Sequence, residues 1–160
     1  MRPATAALRE VVAAWTFGAA DAADVVQRAI ELLVTGDHDE VVLPIAVLPW
    51  NPDRADLQSI LEQTFEDAGD IESLRGDRGL ELALRWQCRQ YRDGALSGRA
   101  LTYWAHGTSQ HAGPPFLEPF ELLDDDWDDF DDGLVTEAEL TRRLDEAADD
   151  FLMRSATCDE

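Results

Sequence analysis

The run DDDWDDFDDGLVTEAEL, Asp124 to Leu140, has the residue types of a calcium loop. A twelve-residue EF-hand frame begun at Asp128 puts Asp132 at position five, Gly133 at the turn position six, Val135 at the apolar eighth and Glu139 at the bidentate twelfth. The third position must supply an oxygen, yet Phe130 occupies it, and Pro119 interrupts the incoming segment. No second loop of this pattern accompanies the first. A simpler reading covers the same residues: Gly133 makes a turn, Val135 packs as a staple, and Thr136 with Glu139 forms a capping box. The stretch is expected to be an acidic turn leading into a capped helix, one that attracts cations loosely. No metal site and no cofactor is expected.

His106 and His111 bracket GTSQ, with Ser109 between them. A hydrolase built there needs a nucleophile, a base and an orienting acid on rigid elements, the histidines held together at a cleft. No nucleophile-elbow glycines flank the serine, so a polar surface loop is the expectation. GDHDE, residues 36–40, carries oxygen and nitrogen donors, but adjacent residues rarely converge on one ion, and a helix-to-helix turn accounts for it. Cys88 falls in an apolar stripe and reads as a small core residue. Cys158 is distant from it, and no CxxC occurs, which argues against a disulfide framework or zinc cluster. HExxH, the Walker loop and GxGxxG are absent from the sequence, and a non-enzymatic protein is expected.

The 160 residues suit one domain, with an ordinary apolar fraction of 45%. The charge is not ordinary: 34 acids face 13 bases, a net of −21, and every base is arginine. Alanine- and aspartate-rich coding without lysine suggests a GC-rich bacterial or halophilic genome. Such a charge disfavours nucleic acid and anionic membranes as partners. It suits a basic protein partner or solubility in a salty cytoplasm. From Leu117 onward there are 17 acids and 3 arginines, so the acidity belongs to one end. The N-terminal segment, broken by Glu10, lacks a signal peptide's apolar core, and no run approaches spanning length. A cytoplasmic location is expected.

The elements that must position these residues are helical nearly throughout. Leu8, Val11, Val12 and Trp15 sit at helical spacing ahead of Gly18, and Val25, Val26, Ala29, Ile30, Leu33 and Val34 form a wide stripe between Asp21 and Gly36. EVVLPIAVLPW holds two prolines and reads as a short buried helix. A further helix is expected to start at Asn51 and stop at Gly69, carrying Leu57, Ile60, Leu61 and Phe65. Leu80, Leu84, Cys88 and Tyr91 make another row, and Ser97 caps a short helix with Leu101 and Trp104 inward. HGTSQHAGPP reads as a loop and FLEPFELL as one or two turns around Pro119. The last helix turns Leu140, Leu144, Ala147 and Phe151 inward. The predicted class is all-α, a single irregular multi-helix domain over residues 1–160, with stacked helical hairpins one compatible arrangement.

Of the five tryptophans, Trp15, Trp50, Trp86 and Trp104 are expected in the core. Trp127 and Phe130 lie among seven aspartates, and either fold back to pin the acidic stretch or anchor a partner. The order of landmarks, from LLVTGDHDEVVLPIAVLP through YRDGALSGRALTYWAHG to FLEPFELLDDDWDD, resembles small acidic all-helical proteins of actinobacteria. Some of it is similar to immunity proteins of polymorphic toxin systems. That resemblance implies an inhibitor without catalytic residues. The expected function is a binding module that neutralises a basic partner, of immunity or antitoxin type. Its surface comprises Asp124, Asp125, Asp126, Trp127, Asp128, Asp129, Phe130, Asp131 and Asp132. The alternative is a structural or regulatory helical domain whose acidity serves only solubility. The oligomeric state stays open.

Overall fold

The computed structural model describes residues 3–36, 41–67 and 74–156. It is all-α: the described residues form eight helices and no strand. They are α1 (Pro3–Thr16), α2 (Ala22–Val34), α3 (Val42–Ala46), α4 (Arg54–Asp67), α5 (Gly76–Arg92), α6 (Gly98–Ser109), α7 (Glu118–Asp131) and α8 (Glu137–Ala156). No described helix is long and apolar enough to cross a membrane. Packing groups the chain into two units, Met1–Ala83 and Leu84–Glu160, with α5 running from one into the other.

In the first unit most residues of the helical stripes become the core: Leu8, Val11, Val12, Val25, Val26, Ala29, Ile45, Leu57, Leu61 and Phe65 are buried. Ile30, Leu33 and Ile60 are only part-buried and Val34 is 82% exposed, because Leu32 takes the inward position on α2. α1 ends at Gly18, whose positive φ lets the Ala19 N–H reach back to the Ala14 carbonyl. Asp21 caps α2, and its own N–H is taken by the Asp24 carboxylate at 2.8 Å. Two further expectations fail here. α4 begins at Arg54 rather than Asn51, because the Asp53 carboxylate accepts the Asp56 N–H at 2.8 Å and supplies the cap. Trp50 is 61% exposed rather than core, since α3 is only five residues long and the chain leaves it before the ring can turn inward. The histidine of GDHDE and the Gly69 stop lie outside the described residues.

In the second unit Leu84, Cys88, Leu101, Ala105, Leu117, Phe120, Leu140, Leu144 and Ala148 are buried. Burial pushes the Cys88 thiol well above its ordinary range, which leaves it protonated and inert. Ala147 and Phe151 are only part-buried, and so are Trp86 and Trp104, because Ala148 takes the inward position and the indoles sit at the margin. At the joint of α5 with α8, the Tyr91 hydroxyl donates to Asp145 at 3.0 Å. Arg92 reaches both Asp145, at 2.7 Å, and Asp149, at 3.2 Å.

Two measurements probe this packing. A Cβ at Gly79 would stand 2.1 Å from the Leu74 carbonyl oxygen, a backbone atom, whereas at Gly107 in α6 it would meet open space. Gly79→Ala should therefore lower stability by about 1–3 kcal/mol, while Gly107→Ala should raise it by about 0.5–1 kcal/mol. Denaturant melts that move both midpoints the same way contradict this packing. Burial, then the hydrogen bond to Asp145, pushes the Tyr91 phenol up to about 12 from 10.0. The native state keeps a proton that the unfolded chain releases near pH 10. This stabilisation is complete below pH 10 and fades as pH climbs to about 12. Tyr91→Phe should flatten the alkaline decline of stability across that window; an unchanged slope excludes the coupling.

Candidate functional site

The acidic run is helix, not turn. Leu117, Phe120, Leu123, Trp127 and Phe130 recur at three- and four-residue spacing, so one apolar face carries α7 through the aspartates as far as Asp131. That stripe is visible in the sequence; the density of aspartates, poor helix formers, obscures it. Gly133, with φ 74°, closes the helix: its N–H bonds to Phe130 O at 2.9 Å and the Leu134 N–H to Asp129 O at 2.8 Å, a Schellman pair. The glycine of the calcium frame is thus a helix C-cap, and Asp128, Phe130 and their neighbours have helical geometry that no EF-hand loop shares. Thr136 accepts the Glu139 N–H at 3.2 Å as expected. The reciprocal half of the box is replaced by an ion pair of Glu139 with Arg142 at 2.7 Å, which holds that carboxyl below its ordinary range.

α6 also outruns its prediction. His106 to Ser109 are helical rather than loop, because the spacing of Leu101 and Ala105 seats this face in the core and a single Gly107, which costs a helix interior about 1 kcal/mol, does not end it. The helix stops where Gln110 and His111 adopt left-handed backbone, φ 48° and 60°. For residues other than glycine this costs roughly 1–3 kcal/mol each. The turn bends His111 back to His106, their ring centroids 4.5 Å apart.

α6 and α7 are joined by a polar seam. The Trp127 indole donates to Thr102 Oγ1 at 3.0 Å, and that buried hydroxyl donates to Asp124 Oδ1 at 3.1 Å. The other Asp124 oxygen lies 3.0 Å from His106 Nδ1. Trp127 also lies beside Gly98, stacks edge-on against Phe130 at 5.7 Å and sits under the Arg99 guanidinium at 5.7 Å. Both rings fold back onto the unit. Arg99 grips Asp131 with two hydrogen bonds, 2.7 and 3.3 Å, which raises its own pKa. Arg143 pairs with Asp126 at 2.6 Å.

The nine residues of the predicted surface therefore divide. Asp124, Asp126, Trp127, Phe130 and Asp131 are engaged within the unit. Asp125 is exposed beside His106 and His111, and Asp128, Asp129 and Asp132 are exposed with no ion pair among the described residues; Asp131, though paired, is half exposed as well. Glu118, Leu122, Asp125, Asp129 and Asp132 make one outward stripe along α7, and Leu134, 74% exposed, follows it. Among the described residues no arginine pairs with Asp128, Asp129 or Asp132.

The pair of histidines is the feature that sequence reasoning did not assemble. Ser109 donates to the Ala105 carbonyl at 3.0 Å and to Glu121 Oε1, so its proton goes to neither imidazole. Glu121, only 4% exposed, turns its other oxygen to His111 Nδ1 at 3.4 Å. Asp125 lies 3.6 Å from His106 Nδ1 and 4.0 Å from His111 Nε2. No family model, curated protein or solved structure matches this chain.

The seam predicts a measurable cost. Thr102→Val keeps the shape but strips the indole of its acceptor and Asp124 of a donor, and should lower stability by about 1–3 kcal/mol. Thr102→Ser should lose less. Urea melts that rank the serine variant with the valine variant contradict the hydrogen-bonded role.

Proposed function

We propose that this protein binds a basic protein partner through the outward face of α7 and the turn behind it, as an inhibitor of the immunity or antitoxin type. The carrying observation is the division among the aspartates. Those facing α6 and α8 are neutralised internally, whereas Asp128, Asp129 and Asp132 stand exposed at the C-terminal end of α7. The helix macrodipole is negative there, and its last turn holds no base. Each carboxylate at that end works against the helix by about 0.3–1 kcal/mol. Charge that lowers the stability of its own helix is well suited to a cationic surface outside it.

The mechanism is steric and electrostatic. Long-range attraction steers the acidic face onto a cationic cleft, such as a groove that accepts phosphates, and raises association rates by roughly 10- to 1,000-fold at low salt. Leu122 and Leu134 supply exposed apolar contact beside the charges and slow dissociation. Trp127 and Phe130 serve indirectly, by fixing the helix that carries the carboxylates. A non-catalytic, cytoplasmic role belongs to the same reading.

The test uses Asp128→Asn, Asp129→Asn and Asp132→Asn together, since changing all seven aspartates would also break the internal pairs. Asparagine should raise the thermal midpoint while abolishing capture of a basic protein from native lysate. Wild-type association with the captured protein should slow steeply with added salt. Capture that survives the substitutions places the interface elsewhere. A stabilised variant with no specific basic partner for either protein returns the acidity to hydration alone.

A further inference from the structure

We propose that His106, His111 and Asp125 form a binding site for a divalent transition-metal ion of the zinc class, with Glu121 orienting the His111 imidazole. One donor atom from each of the three residues falls within 4.8 Å of the others. Asp125 stands 3.6 Å from His106 Nδ1 and 4.0 Å from His111 Nε2, too far for hydrogen bonds and near the spacing of ligands that share an ion. With metal–ligand bonds of about 2.0–2.1 Å, tetrahedral ligands lie roughly 3.3 Å apart. His111 and Asp125, with side chains 51% and 54% exposed, can close that difference without disturbing the core.

The surroundings match the donors. Glu121 faces His111 Nδ1 at 3.4 Å, so in the tautomer protonated there the His111 ring keeps Nε2 for an ion, the carboxylate–histidine–metal arrangement. His106 presents Nδ1, the nitrogen beside Asp125, and Asp124, 3.0 Å from the same nitrogen, places a further oxygen near the ion. Glu121 is an independent sign. It is a nearly fully buried carboxylate whose contacts are the Ser109 hydroxyl and the His111 ring, with no arginine against it among the described residues. A buried carboxyl set behind His111 fixes the ring that would hold the ion. The left-handed turn at Gln110 and His111 is what brings the second imidazole to the cluster. Two imidazoles and a carboxylate favour zinc, cobalt or nickel over calcium and magnesium, whose preferred ligands are all oxygen. Exposure leaves a further coordination position to water. The site shares no test residue with Asp128, Asp129 and Asp132, so it stands or falls separately from the binding face.

Chelator-stripped full-length protein titrated calorimetrically with zinc ion should bind one equivalent. His106→Gln and His111→Gln should each weaken binding by roughly 10- to 100-fold, and together abolish it, with helix content unchanged by circular dichroism. The Asp128, Asp129, Asp132 triple asparagine variant and His38→Gln should bind as wild type does, and excess calcium or magnesium should not compete. Binding without saturation at one equivalent, equal competition by calcium, or a folded double variant that still binds overturns the proposal. Should the double variant unfold, imidazole proton resonances of the wild type decide. Zinc must shift two of the three histidines, and any other pattern rejects the site.

Discussion

A single buried hydroxyl, that of Thr102, sets how the most acidic helix of this protein is turned against its neighbour. It takes the indole N–H of Trp127 and gives its own proton to Asp124, tying α7 to α6 at two points one turn apart. The seam is polar in a low-dielectric setting, where satisfied groups strengthen one another and an orphaned one is costly. It orients Trp127 so that the ring lies against Gly98 and beneath Arg99, and it orients Asp124 towards His106. The rotation of α7, the seat of Arg99 and the position of the His106 imidazole meet at this hydroxyl.

A helix with seven aspartates between positions 124 and 132 faces strong self-repulsion. The molecule offsets it in part, by facing each inward carboxylate with an arginine, histidine or hydroxyl from a neighbouring helix. Exposed ion pairs contribute little, about 0–1 kcal/mol each. The apolar stripe from Leu117 to Phe130 therefore supplies most of what keeps α7 helical, and the pairs mainly settle its rotation. Once that rotation is set, the remaining carboxylates point outward together. The same geometry that relieves the inner face concentrates charge on the outer one.

The histidine cluster shows the same economy on a smaller scale. α6 ends in two left-handed residues that carry side chains, an unfavourable closure where glycine would be easier. The strained turn delivers His111 to a carboxylate that is almost wholly buried. Two imidazoles and three carboxylates are gathered within one turn of α7, on a unit otherwise held by leucine, alanine and phenylalanine.

Local interactions made much of this protein legible from its residues alone. The all-helical class, the stripes through Val25, Leu57, Leu84 and Leu140, the cap at Ser97 and the stops at Gly18 and Gly36 depend on contacts within a few residues. So does the asymmetry of charge. Where local signals conflict, the misleading one is the plainer: aspartate density hides the stripe that keeps residues 124–131 helical, and Asn51 precedes the true cap at Asp53. Which aspartates stay free was beyond reach, because that depends on partners in other helices, 32 residues away for Asp131 and 22 for Asp124. The meeting of His106, His111 and Asp125 was equally hidden. It needs a left-handed turn, a helix crossing and a register of α7 against α6, none of which side-chain periodicity encodes. Composition and spacing determined the helices and where their charge lies; only the tertiary packing decided which charges face one another and which face outward.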